Sequence, residues 1–217
     1  MDAYFKRPEV SNSDLGWLLD QLNPKSNPMD PTQAFADGNL LDAMITESYK
    51  VDYFKRTRED VIYKKATFEN TIKMKQAFWR DPFCSDLMSG ANAQKISIQR
   101  NALMNFNGVE FELDRRCKWD IWRDDWKWGG DIKSTAAETQ MQFEAACKFF
   151  QYDRSRAWYM DIEGAERDVI IGISKKNHKV FKIFINKESD FYLEGKQKYL
   201  ELAYKWHLFF GNGRPWQ

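Results

Sequence analysis

Asp131-Ile132-Lys133 places a carboxylate and an ammonium two residues apart. A second carboxylate, Asp120, stands eleven residues earlier in the run CKWDIWRDDWKWGGDIKST. On a strand, positions i and i+2 face the same way, so Asp131 and Lys133 would share one side. Arg123-Asp124-Asp125 has the polar composition of a turn, which would pair the strand of Asp120 with that of Asp131 as a hairpin. Two acids and a lysine brought together in this way suit metal-dependent phosphodiester cleavage. The acids hold a divalent cation, and the ammonium steadies the attacking water or the charge that develops on the phosphate. Mg²⁺ takes oxygen ligands in near-octahedral geometry and keeps several waters. Asp120, Asp131 and a backbone carbonyl such as that of Ile132 would suit it. The D-x-K spacing alone equally describes a strand-edge salt bridge, because short motifs recur by chance.

The elements around these residues follow from periodicity. Ser11 or Ser13 can cap a short helix carrying Leu15, Trp17, Leu18, Leu19 and Leu22. The Pro- and Asn-rich segment 23–31 reads as a linker. PTQAFADGNLLDAMITE reads as a helix with Phe35, Leu40, Leu41, Met44 and Ile45 on its apolar face. Gly38 inside it costs roughly 1 kcal/mol against Ala, so it suggests close packing. Residues 52–65 are polar, basic and loop-like. Helices are expected over 67–80, ended by Asp81-Pro82, and over 83–89. From Gln94 the pattern alternates: KISIQ, VEFELDRRCKWDIW and WKWGGDIKS read as strands. A helix over 136–151 follows, then three strands, AWYMDI, DVIIGIS and KVFKIFI. The last two form a hairpin over Lys175-Lys176-Asn177-His178, and an amphipathic helix over 188–209 closes the chain. The order predicts an α/β or α+β fold, a sheet flanked by helices.

Composition bounds the function. A chain of 217 residues fits a single domain over 1–217, mainly helical over 1–92 and with its sheet core over 93–217. Lys and Arg number 33 against 32 Asp and Glu, so net charge does not announce a nucleic-acid binder. An acidic centre inside a basic rim remains compatible with one. No apolar run of membrane-spanning length occurs, and MDAYFKRPEV lacks the apolar core of a signal peptide. Cys84, Cys117 and Cys147 fit neither a disulfide framework nor a four-cysteine metal site. They read as buried reduced thiols, which implies a cytoplasmic compartment. Two histidines, His178 and His207, make a histidine zinc site a poor fit.

Several blocks, in order, carry a resemblance. KWDIW and GGDIKST are similar to the acid-bearing strand and the D-x-K-T strand of the exonuclease VIII-type branch of the PD-(D/E)xK nucleases, the phage recombination exonucleases. YFKRPEVSNSDL, AFADGNLLDAMITE, FWRDPFCSDLMSG and FFQYDRSRAWYMDI resemble further family blocks, so the likeness spans about residues 4–185. The resemblance implies a restriction-endonuclease-like core, a central mixed sheet flanked by helices. It implies Mg²⁺, with Mn²⁺ able to substitute, held by Asp120, Asp131 and the Ile132 carbonyl. It gives Lys133 a catalytic role and places Thr135, Arg154 and Tyr159 against DNA. It further implies 5′-to-3′ degradation of double-stranded DNA from its ends, a single-strand annealing protein as partner, a homo-oligomeric ring, and a phage protein working in the bacterial cytoplasm.

The chain departs from the family pattern at three places. Asp42 stands where the family has a metal-binding histidine. It either ligates the cation or lies on a solvated helix face. Arg154 or Ser155 stands where the family has glutamine, and Arg154 either grips the phosphate or is a surface charge. Gln94 replaces an expected acid. These departures keep two rival functions open: a DNA-binding module with a compromised site, and a structure-specific or single-strand endonuclease. Trp119, Trp122, Trp126 and Trp128 read either as base-stacking or as packing residues. The pairs Lys55-Arg56, Lys64-Lys65, Arg115-Arg116 and Lys175-Lys176 read as phosphate contacts or solvated charge.

Overall fold

The computed structural model describes residues 3–24 and 32–215. From residue 25 onward, the expected linker lies outside the described residues. Ser11 caps α1 (Asn12–Leu22) through a capping box: its hydroxyl accepts from the Asp14 N–H, and the Asp14 carboxylate accepts from the Ser11 N–H at 2.7 Å. Leu15 and Leu18 bury the inner face. In α2 (Thr32–Thr46), Leu40, Leu41, Met44 and Ile45 are buried as expected, but Phe35 is exposed. Gly38 is not explained by tight packing, since a Cβ there would meet only the Ser134 hydroxyl, at an ordinary 3.8 Å. The polar stretch read as a loop folds into a small antiparallel meander of β1 (Val51–Asp52), β2 (Thr57–Arg58) and β3 (Val61–Ile62). α3 (Lys65–Arg80) stops at Asp81. The Asp81 carboxylate then caps α4 (Pro82–Met88), where Pro82 fills a first-turn position that needs no N–H.

The sheet holds five strands in the order β4 (Asn92–Phe106), β5 (Val109–Arg123), β6 (Trp128–Thr135), β7 (Arg167–Ser174) and β8 (Val180–Asn186). β6 and β7 run parallel and all other neighbours are antiparallel, so the sheet is mixed. The parallel pair needs a crossover, which α5 (Gln140–Phe149) and α6 (Tyr152–Glu163) supply. α7 (Asp190–Phe210) packs along α6. One core layer gathers α1, α6 and α7 with Trp119, Trp122, Ile170 and Ile185. The other sets Leu41, Met74, Phe78 and Leu87 of the N-terminal helices against Ile121, Ile132, Ile171 and Ile173.

The segment AWYMDI is helical, not a strand. Its aromatics suggest β structure, but only Ile162 in it is β-branched. Gly164, at φ 72°, is a left-handed helix stop. The buried positions Asp153, Arg156, Ala157 and Met160 follow a helical period, which packing against the sheet and α7 rewards. The preceding helix is correspondingly shorter than expected, beginning at Gln140 behind a Thr139 cap. Of the closing helix, Tyr199, Leu202 and Trp206 are buried, whereas Leu193 and Phe209 face outward.

Candidate active site

β5 and β6 form the expected hairpin, but their ladder is short. It runs Arg123–Trp128, Trp122–Gly129 and Ile121–Gly130 and then ends. The next pair in register is Asp120 and Asp131. There the strands part: β5 continues against β4, while β6 continues against β7. In this fork the Ile132 N–H donates at 2.8 Å to Oδ2 of Asp120. A side-chain acceptor thus satisfies a buried backbone donor on the divergent strand. Just before the fork, Gly129 leaves room for the indole of Trp119. A Cβ at Gly129 would stand 1.9 Å from that ring.

Asp131 is the centre of the ion-pair network. Its Oδ1 accepts from Arg156 Nη1 at 2.9 Å, and its Oδ2 lies 2.5 Å from the Lys133 ammonium. Arg156 is 1% exposed and also donates from Nε to Asp168 at 2.6 Å. Its guanidinium stacks on the rings of Trp119 and Tyr159, 4.8 and 4.6 Å from their centroids. The Lys133 ammonium sits 5.2 Å over the Tyr152 ring. Asp42 reaches the group from α2. Gln94 Nε2 donates to both of its carboxylate oxygens at 3.1 and 3.0 Å, and the Thr46 hydroxyl donates to Oδ1 at 3.1 Å. Gln94 lies opposite Asp120 across the β4–β5 pair and holds a left-handed φ of 57°, a strained conformation for a residue with a Cβ.

The carboxylates differ in their hold on a proton. Burial raises Asp120 well above its ordinary value, and the charges of Asp42 and Asp131 add to the effect. Burial also raises Asp42 against the pull of Thr46, Lys133 and Gln94. Burial works to raise Asp131 too, but Lys133 and Arg156 outweigh it and hold Asp131 below the usual carboxylate range. Asp168 is pushed up to about 6 by burial, despite Arg156. Burial opposes the charge on Lys133, but Asp131 and Asp120 overcome it and raise its proton affinity. Lys133 is therefore an ammonium at neutral pH, not a base.

Four carboxylates (Asp42, Asp120, Asp131 and Asp168) interact with two cations, Lys133 and Arg156, leaving an excess of negative charge when all are ionised. Oxygen-only donors with excess negative charge suit a hard divalent cation. Among the described residues, no three His, Cys, Asp or Glu side chains stand close enough together to cage a metal without rearrangement. Both oxygens of Asp131 face cationic side chains, whereas the donors at Asp120 (the Ile132 N–H) and Asp42 (Gln94 and Thr46) are neutral. The charge of these two carboxylates is therefore the less compensated and could face a cation.

The remaining expectations divide. Tyr159 is in the network, against Arg156. Thr135 ends β6, its hydroxyl accepting from the Ala137 N–H at 3.1 Å. Arg154 is neither in the fork nor a surface charge. It is buried, with Nε donating to Asn12 at 3.1 Å and Nη1 to Gln151 at 3.2 Å. The arginine at the site is Arg156, two residues further on. Arg156 falls in the short stretch between the helix expected over 136–151 and the strand expected over AWYMDI. Only the helical period of α6 (Tyr152–Glu163) turns it inward beside Ala157 and Met160. Trp119 and Trp122 are core residues, and Arg115-Arg116 is buried rather than offered to phosphates. The three cysteines are buried and free, and no described helix is long and apolar enough to cross a membrane.

No family model and no curated protein sequence matches the chain. Solved structures do. A protein from Eubacterium rectale, provisionally named an exonuclease, is similar over 87% of this chain and 71% of its own, with TM-score 0.59 and 19% identity. A phage-related exonuclease from Haemophilus somnus 129PT is similar over 92% of this chain and 93% of its own, with TM-score 0.42 and 13% identity. The mixed five-stranded sheet flanked by helices is thus a fold shared with the Eubacterium rectale protein.

Proposed function

We propose that the chain is a metal-dependent nuclease acting on DNA, with the β5–β6 fork as its centre. The observation that carries this reading is the convergence of Asp120, Asp131 and Asp42 with Lys133, in a fold found in an exonuclease-named protein. Mg²⁺ or Mn²⁺ would be held by Asp120 and Asp42, with Asp131 and the Ile132 carbonyl beside them. It would supply Lewis acidity and an activated water. The chain's own groups do the rest. Lys133, held as an ammonium, places positive charge where the phosphate becomes more negative. Arg156 fixes Asp131 from behind, so that this carboxylate keeps its orientation as substrate enters. Gln94 and Thr46 do the same for Asp42. In the finer form of the proposal, the enzyme degrades double-stranded DNA from its ends in the 5′-to-3′ direction, as a ring-forming partner of a single-strand annealing protein.

The test is incubation of linear duplex DNA with the protein and Mg²⁺ or Mn²⁺, beside Asp131→Ala and Lys133→Ala. Degradation by the wild type and a loss of about 10²–10³-fold in Lys133→Ala is expected. Equal degradation by all three would sink the assigned site. Duplexes labelled at either end report polarity, and a closed circle separates exonuclease from endonuclease. A second reading, a DNA-binding module without cleavage, is favoured by one observation: both oxygens of Asp131 are engaged by Lys133 and Arg156. Tight binding of duplex ends with no hydrolysis in either metal would select it.

A further inference from the structure

Beside Lys133 begins a line of aromatic rings that runs from the edge of the core out into water. Tyr152 lies under the Lys133 ammonium. Phe150 stacks on Tyr152 with centroids 5.8 Å apart and planes at 24°, and Phe149 meets Phe150 edge-on at 5.1 Å. Exposure grows outward along the line: Tyr152 is half-buried, Phe150 is 59% exposed and Phe149 80%. The rings are held by a strained elbow. Gln151, between α5 and α6, adopts φ 54° and ψ 44°, a left-handed conformation that is strained for a residue with a Cβ. The buried Arg154 holds that elbow by donating to Gln151 Oε1, and it is itself tied to Asn12. Strain of this kind persists only where the surroundings enforce it. Here they keep two large apolar rings in water, which burial energetics alone would not select.

We propose that Phe149, Phe150 and Tyr152 form a stacking platform for unpaired bases of a nucleic-acid strand whose phosphate is drawn to Lys133. The proposal rests on the nuclease reading for its substrate and deepens it. Charge complementarity favours this occupant over an apolar protein partner. The inner end of the line is an ammonium, and the exposed Lys148 immediately precedes Phe149 in the chain, so cations flank the three rings, as suits phosphates on either side of stacked bases. Arg154, in this account, is a positioning residue for the platform and touches no phosphate.

The experiment measures binding of a labelled eight-residue thymidine strand, and of the same strand with abasic sites, in EDTA. The proteins are wild type, Phe149→Ala/Phe150→Ala, Phe150→Leu and Phe150→Trp, each checked for folding by circular dichroism. Wild type should prefer the intact strand, and the double variant should lose roughly tenfold or more on it. On the abasic strand the two should differ less than threefold. Phe150→Trp should retain the preference and Phe150→Leu lose it. Equal affinity of wild type and double variant for the intact strand overturns the proposal. So does an equal loss on the abasic strand, or no detectable binding by wild type. A fall in oligomeric mass of the double variant by light scattering also overturns it, because the rings would then join copies of the chain. Hydrolysis of bis(p-nitrophenyl) phosphate, which carries no base, is measured separately in wild type and Lys133→Ala. It reports on the nuclease reading whatever the strands do.

Discussion

Arg156 shows how one buried cation can organise a site it does not face. It pairs with Asp131 and Asp168 from full burial, with aromatic rings at its guanidinium. Removing one member of a buried network leaves uncompensated charge, which costs far more than the pair is worth when intact. Arg156→Met is therefore expected to destabilise the fold by about 3–5 kcal/mol in urea unfolding, because two carboxylates lose their partner. Lys133 is only partly buried, and among the described residues its ion pair is with Asp131. Lys133→Met should cost no more than about 1–2 kcal/mol of stability, and under the proposed nuclease function it should remove hydrolysis. Comparable unfolding midpoints for the two variants would contradict this division of roles.

At the scale of elements, the site exists because β5 and β6 part after three pairs, and because α6 presses Arg156 into the space behind them. α6 is held by α7 at very close range. A Cβ at Gly195 would stand 2.1 Å from the carbonyl oxygen of Asp153, a backbone atom that cannot swing away. Gly195→Ala should therefore push the helices apart and destabilise by about 2–3 kcal/mol, the upper part of the range for overpacking. Helix propensity alone would predict a gain of nearly 1 kcal/mol from the same change. Unfolding measurements thus give opposite signs for the two accounts.

At the scale of the whole molecule, the buried carboxylates at the fork couple stability to pH and, under the nuclease proposal, to a divalent cation. Asp120 and Asp168 bind a proton more tightly in the folded chain than in the unfolded chain, Asp168 with a value of about 6. At pH 6 the unfolded chain, with ordinary carboxylates near 4, binds fewer protons at these groups than the folded one. Their contribution to stability therefore falls as pH rises from 6 to 8 in EDTA. Asp120→Asn should flatten that fall in urea unfolding. Mg²⁺ or Mn²⁺ binding where the proton binds should raise the melting temperature more at pH 8 than at pH 6. A pH-independent metal shift would argue against a cation at Asp120.

Local patterns carried much of this. A serine cap before α1, the Asp81-Pro82 stop of α3, alternation in β4–β6 and the D-x-K pair on one strand face are decided within a few residues, by hydrogen bonds and side-chain period. The sequence also determined that Asp120 and Asp131 lie on the two arms of one hairpin, since the turn between them is short. Only the tertiary structure decided that this hairpin splits beside both carboxylates, that AWYMDI is a helix, and that Arg156 rather than Arg154 stands behind Asp131. It also decided that Asp42 and Gln94, 52 residues apart, hold each other across the site. The reason is the same in each case. A short segment of aromatics and charges has no strong preference of its own, and burial against distant partners settles its form. A residue's proton affinity or ion partner depends on groups that the chain brings together only when the sheet and its crossover helices have packed.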